Sequence, residues 1–310
     1  MRVASNSQTK QTMKPGIKIS YALAITISAL LISCDGNRFD FTSNDGENVQ
    51  NEAIADSYVD DADDMSAVVL SANDATVNGR ESSTGRMITV KIVDLAKRFD
   101  CATITIETAS DNTAEIPKGT ITIDFGTGCT DAKGNVRKGI IRVKYVGRRF
   151  LPTSTVETTF DGYSINDVKI EGTRTVTNIS GSSEAAPKFT IVVTDGKITW
   201  PDGSTATRNV NRTREWIRLA NPSQDSWIVT GTASGTNRRS RAYTMEITKP
   251  LVFKRECATS NKVFIAVEGT KQLTVGEKII TIDYGDGTCD KKVTITINGT
   301  SKEVEVDGDN

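Results

Sequence analysis

Two aspartates, Asp124 and Asp283, stand in matching settings, Ile123-Asp124-Phe125-Gly126 and Ile282-Asp283-Tyr284-Gly285. A pair of carboxyls is the minimum equipment for acid–base cleavage of a glycosidic bond. That chemistry needs the two groups in unlike surroundings so that one stays protonated, whereas repeated positions tend to share a single environment. An aspartate ahead of an aromatic-Gly turn serves well as a cap for nearby N–H groups, and capping is the reading the sequence favours. Asp283, Asp286 and Asp290 suggest an oxygen cage for Ca²⁺, but they lack the alternate acids and distal glutamate of a helix-flanked calcium loop, and no metal is expected. Histidine is absent from all 310 residues. The usual base at neutral pH and the commonest metal ligand go with it, as do the triads that depend on His. The expectation is a chain with no catalytic residue and no cofactor, not an enzyme; a His-independent glycan hydrolase is the weakest alternative.

Side chains suited to binding are more plentiful. Arg137-Lys138, Arg142-Val143-Lys144, Arg148-Arg149 and Arg238-Arg239-Ser240-Arg241 form basic clusters. Alternation places Arg142 and Lys144 on one side of a strand, which suits an anion-binding face and equally a plain solvated one. Trp200, Trp216 and Trp227 fall in one middle region. Exposed rings there would stack on sugars, whereas core packing is the commoner fate of tryptophan. The candidate ligand-binding residues are Trp200, Trp216, Trp227, Arg142, Lys144, Arg238 and Arg239. An acidic glycan or a lipid headgroup is the chemistry they would recognise.

Charge is distributed unevenly along the chain. The net charge is −1. Residues 1–33 carry four cations and no acid, so their removal leaves −5. Residues 35–79 hold eleven acids against Arg38 alone, a segment of −10, which leaves residues 80–310 at +5. Acidic runs of this kind stay solvated and extended, so 34–80 reads as a mostly disordered tether. A body of +5 is no case for nucleic-acid binding.

Lys14 and Lys18 precede the apolar run 19–33, ISYALAITISALLIS, of 15 residues. About 20 apolar residues are needed to span a bilayer, so the run reads as a secretory signal covering residues 1–33. Its end, Leu31-Ile32-Ser33-Cys34, resembles the bacterial lipobox. That resemblance implies cleavage before Cys34, lipidation of its thiol and anchoring to a membrane. Two or more acyl chains hold a protein stably where one does not.

Four cysteines remain beyond Cys34. An even number in an exported chain reads as disulfides, with three connectivities open. Cys101 and Cys129 bracket CATITIETASDNTAEIPKGTITIDFGTGC, and Cys257 and Cys289 bracket CATSNKVFIAVEGTKQLTVGEKIITIDYGDGTC. The parallel between the segments marks an internal repeat, about 100–145 and 256–306. It favours Cys101–Cys129 and Cys257–Cys289 over crossed pairs or four reduced thiols.

These residues must be positioned by strands. Period-2 alternation dominates from residue 86 onward. Ile141, Val143 and Tyr145 share one face while Arg142 and Lys144 take the other; Val293, Ile295 and Ile297 alternate with threonines. Asp161-Gly162, Asp195-Gly196, Asp202-Gly203 and Asn298-Gly299 read as hairpin turns. The expectation is an all-β domain over 81–310: an antiparallel meander of a dozen or more strands, strongly curled, barrel-like or a sandwich. A short amino-terminal helix is expected within 56–72, with Val59, Met65, Val68 and Val69 as its apolar stripe.

The stretches ITIDFGTGCTDAKGNVRKGIIRVKYVGRRF, TTFDGYSINDVKIEGTRTVTN, GTASGTNRRSRAYTMEITKPLVFKREC and IITIDYGDGTCD resemble a family of Bacteroidota cell-envelope lipoproteins of uncharacterised function, over approximately 86–306. The resemblance implies an outer-membrane, lipid-anchored location on the periplasmic or cell-surface face, and a β-rich fold. It implies no activity. Together these readings predict a non-catalytic envelope module that captures a ligand, glycan or envelope protein. The alternative is a structural component of an outer-membrane assembly.

Overall fold

The computed structural model describes residues 65, 66, 68, 70, 87–92, 98–132, 134–182, 185–261 and 263–306. The signal segment, Cys34, Val59 and Val69 lie outside them. The fold is all-β. Its strands are β1 (Met87–Val90), β2 (Thr103–Thr108), β3 (Lys118–Asp124), β4 (Cys129–Thr130) and β5 (Val136–Val146). Next come β6 (Thr155–Ile165), β7 (Val168–Asn178), β8 (Lys188–Thr199), β9 (Thr205–Ile217) and β10 (Ser226–Thr236). The last five are β11 (Ala242–Lys254), β12 (Glu268–Val275), β13 (Lys278–Asp286), β14 (Lys292–Ile297) and β15 (Thr300–Glu305). They make one antiparallel meander in chain order, with β4 pairing β5 off the main path.

Alternating sequence produces the layering. In β3, Gly119, Ile121 and Ile123 are buried while the threonines between them lean outward. Register extends that inner face sideways. Ile121 lies between Ile106 and Val143, and the row continues through Thr158 and Arg174 to Val193. From Val193 it runs through Val210, Ala233, Met245, Leu273 and Ile280 to Ile297. Each such isoleucine taken out of water contributes about 1.5–3 kcal/mol. The inner face holds two apolar clusters, one mainly from β2–β9 and one from β8–β15. Buried Arg174 and Arg208 lie among them. The described residues Met65, Ser66, Val68 and Leu70 are helical. Met65 and Leu70 enter the first cluster, and the Ser66 hydroxyl lies 3.4 Å from that of Thr158.

The structure corrects the expected closure. The sheet is neither a barrel nor strongly curled: its order runs openly from β1 to β15. Its two ends are poor at pairing with each other. β1 has only four residues, and β15 presents the exposed Lys302, Glu303 and Glu305. Short or charged edges discourage further strand addition.

Two expected turns are corrected as well. Asp202-Gly203 and Asn298-Gly299 do close hairpins, but Gly162 lies inside β6 and Gly196 inside β8. A residue pair that tolerates positive φ suits a bulge within a long strand as readily as a turn. The ladders shift register at these places, between Lys138 and Ile140 and between Glu171 and Thr173. Gly139, at φ +77°, meets the Gly162 carbonyl so closely that a Cβ would lie 2.3 Å from its oxygen. Only glycine fits that crossing.

Candidate functional site

The connections alternate between the two ends of the sheet. At one end the links 166–167, 200–204, 237–241, 276–277 and 298–299 are short and polar, while 91–102 and 125–135 at that end are longer. At the other end the links 109–117, 147–154, 179–187, 218–225 and 255–267 are longer, and 287–291 has five residues. The longer end holds one of two ring clusters, the other being Phe125, Phe160 and Tyr163. Trp216 near the end of β9 pairs in register with Trp227 at the start of β10. Their rings stack with centroids 6.2 Å apart and planes at 17°. The 147–154 connection brings Phe150 within 6.0 Å of Trp216 and 6.3 Å of Phe189 in β8. Both tryptophans are half-buried and Phe150 is exposed.

Arginines surround these rings. Arg214 lies over Trp227 at 5.6 Å and Arg218 over Trp216 at 5.5 Å. Arg255, opening the short helix Arg255–Asn261, reaches both indoles, and Arg149 lies over Phe150 at 5.5 Å. Asp225 fixes the assembly from beneath. Nearly fully buried, it accepts hydrogen bonds from the Trp216 indole N–H (3.1 Å) and the Leu219 N–H (3.0 Å), and pairs with Arg255 at 3.3 Å. Asn221 caps the adjoining 3-10 turn Pro222–Gln224 by accepting from Ser223 N. A guanidinium stacked on a ring can still donate in its own plane; here Arg255 pairs with Asp225 and Arg218 donates to the Ala185 carbonyl at 3.2 Å. The cluster therefore offers flat apolar surface beside cationic hydrogen-bond donors.

The other sequence candidates are placed elsewhere. Trp200 is buried at the short-turn end, about 35–40 Å along β9 from Trp216 at 3.3 Å per residue. Arg238 lies over the Trp200 ring at 4.6 Å and binds Asp202 and the Ser204 hydroxyl, each at 2.6 Å. Hydrogen bonds from Ser204, with Arg238 beside it, lower the Asp202 pKa to about 2. This group clamps two neighbouring turns. Arg239 is exposed, its N–H bonded to the Asn237 side chain. Arg142 and Lys144 stand on the outer face, where Arg142 pairs with exposed Asp161 at 3.1 Å. Arg137 is removed from the basic face altogether: it is buried 3.6 Å from Asp131 and donates to the Tyr163 hydroxyl at 2.7 Å.

The aspartates close turns. Asp124 accepts from Gly126 N at 2.7 Å and Asp283 from Gly285 N at 2.9 Å, the same bond at both repeat positions. Asp286 accepts from Thr288 and Asp290 from Lys292. Thr288 holds the Asp286 pKa below its ordinary value. Among the described residues no group of three metal-ligating side chains converges. Both disulfides form as the repeat indicates, Cys101–Cys129 and Cys257–Cys289. The first lies at the short-turn end and the second at the long-connection end.

Phe150, Phe189, Arg218, Arg255 and Asp225 escaped the sequence reading. Alternation alone places Arg212, Arg214 and Trp216 on one face of β9. Their partners come from other strands and need the register to be found. Two cavities lie along the sheet. One of about 30 Å³ beside Phe160, Arg174 and Tyr243 has room for a water. A depression of about 490 Å³ on the outer face is lined by Thr194, Asn209, Asn211, Thr232 and Gln272, among others. No family model, curated protein or solved structure matches the chain.

Proposed function

We propose that the protein is a non-catalytic, lipid-anchored cell-envelope module that captures an anionic ligand at the Phe150–Trp216–Trp227 cluster. The observation that carries this reading is the stacked tryptophan pair with arginines over its faces. Stacking surface and guanidinium donors side by side suit a sugar ring bearing a carboxylate or phosphate. The lipobox at Cys34 and the two disulfides support an envelope address, where thiols oxidise and persist as disulfides. An intact mass of the membrane-extracted chain should show acyl groups on Cys34; an unmodified Cys34 removes the anchor from the proposal.

The ligand class is tested by titrating polygalacturonate, with neutral dextran as control, into the protein and following tryptophan emission. Binding should be confined to the acidic polymer and should weaken with salt. Replacing Arg149 and Arg218 together with alanine should weaken it by about tenfold or more, since charge-assisted hydrogen bonds contribute roughly 1.5–3 kcal/mol each. Equal response to dextran, or none to either polymer, overturns the anionic ligand.

A further inference from the structure

We infer that the long-connection end of the sheet docks on a lipid surface bearing anionic headgroups, with its loop tips entering the interfacial layer. The inference shares Phe150, the tryptophans and the arginines with the aromatic–arginine cluster, adds the exposed tips Ile116, Leu151, Ile179, Leu219 and Phe264, and is tested at Leu151, Leu219 and Phe264, so it can fail separately. Nine large apolar side chains are exposed among the described residues. Six of them, Ile116, Phe150, Leu151, Ile179, Leu219 and Phe264, lie in connections at this one end. The described residues of the connections at the opposite end include none of the nine. The other three, Met87, Val192 and Ile279, lie in strands. An exposed apolar set concentrated in the connections of one end marks a contact surface.

Its form favours a membrane over a compact ligand. The tips belong to five separate connections, from the β2–β3 link to the β11–β12 link. At roughly 4.8 Å per strand they extend over about 40 Å, too far for one small molecule to touch. Half-buried Trp216 and Trp227 lie behind them, with Arg149, Arg218 and Arg255 among the rings. Apolar tips backed by tryptophan and cations match an interfacial layer, where aromatic rings settle at headgroup depth and basic groups meet phosphate. Docked this way, the strands stand away from the bilayer and the short polar turns point outward.

The test uses the chain from residue 34 onward, made without acylation, which retains every described element. It is sedimented with vesicles of phosphatidylcholine alone and of phosphatidylcholine mixed with phosphatidylglycerol. The mixed vesicles should carry the protein down at low salt and shift tryptophan emission to the blue. The Leu151→Ser, Leu219→Ser, Phe264→Ser variant should lose roughly tenfold or more of that affinity, with an unchanged far-ultraviolet circular dichroism spectrum showing that it folds. A variant with altered circular dichroism is replaced by Leu219→Ser alone, which should lose part of the affinity in the same direction. The inference is overturned by no sedimentation with either vesicle, by variant binding equal to the parent's, or by full competition from free glycerol phosphate. A dimer that the same substitutions dissolve, without vesicle binding, would assign the surface to a second copy of the chain and also overturns it. Polygalacturonate binding without vesicle binding leaves the proposed ligand site standing and removes only the membrane contact.

Discussion

An Arg137→Ala chain is expected to lose about 3–5 kcal/mol of folding stability, the usual cost of stranding one member of a buried ion pair. Arg137 and Asp131 are both almost wholly shielded from solvent and lie 3.6 Å apart. Asp131 also accepts from the backbone and side chain of Asn135, and Arg137 donates to the fully buried Tyr163 hydroxyl. Truncating the arginine removes its charge from beside a buried carboxylate and a buried phenol. Urea denaturation followed by fluorescence measures the loss directly. The double substitution Arg137→Met, Asp131→Asn should recover part of it, because an apolar stem with a neutral partner removes the stranded charge. A loss below about 1 kcal/mol in the alanine variant would mean that water reaches the pair and that its burial is structurally incidental.

Replacing Cys257 and Cys289 together with alanine is expected to cost about 3.5–4 kcal/mol, the loop-closure entropy of a cross-link spanning 32 positions. Cys257 is fully buried in the short helix after β11 and packs with Val263 and Val267 in a small cluster that Cys289 closes. The bridge therefore ties the long 255–267 connection to the 287–291 link across the end that carries the aromatic site. Thermal unfolding in oxidising and reducing buffer provides the check. Reductant should lower the midpoint of the parent more than that of the double alanine variant, which retains only Cys101–Cys129. A midpoint indifferent to reductant in both chains would sink the stabilising role of the bridges. The Cys101–Cys129 pair, with a separation of 28, should give a similar figure.

Much of the architecture was legible because its signals are local. Threonine–isoleucine alternation in β3 and β14 reports a strand with one wet face without help from neighbours. Matched Cys-Ala-Thr and Asp-aromatic-Gly segments identify both disulfides and the two capping aspartates for the same reason. Closure was not legible. It depends on whether the first and last strands meet, which no local periodicity records. Asp161-Gly162 was misread because positive φ is needed by a turn and a bulge alike, and only the partner Gly139 distinguishes them. The aromatic site was partly visible. Trp216 and Trp227 stood out as residues, but their stacking is a consequence of β9–β10 register. Phe150 joins them through a connection whose path no periodicity records.

The unbroken neighbour-to-neighbour order of the strands has a kinetic consequence. Every new strand finds its template in the segment just before it, so the search for each pairing closes only a short stretch of chain. Assembly can advance like a zipper from either half, without waiting for distant segments to meet. For a β protein of this length, that connectivity keeps sequence separation between pairing residues small, which is the property that speeds folding.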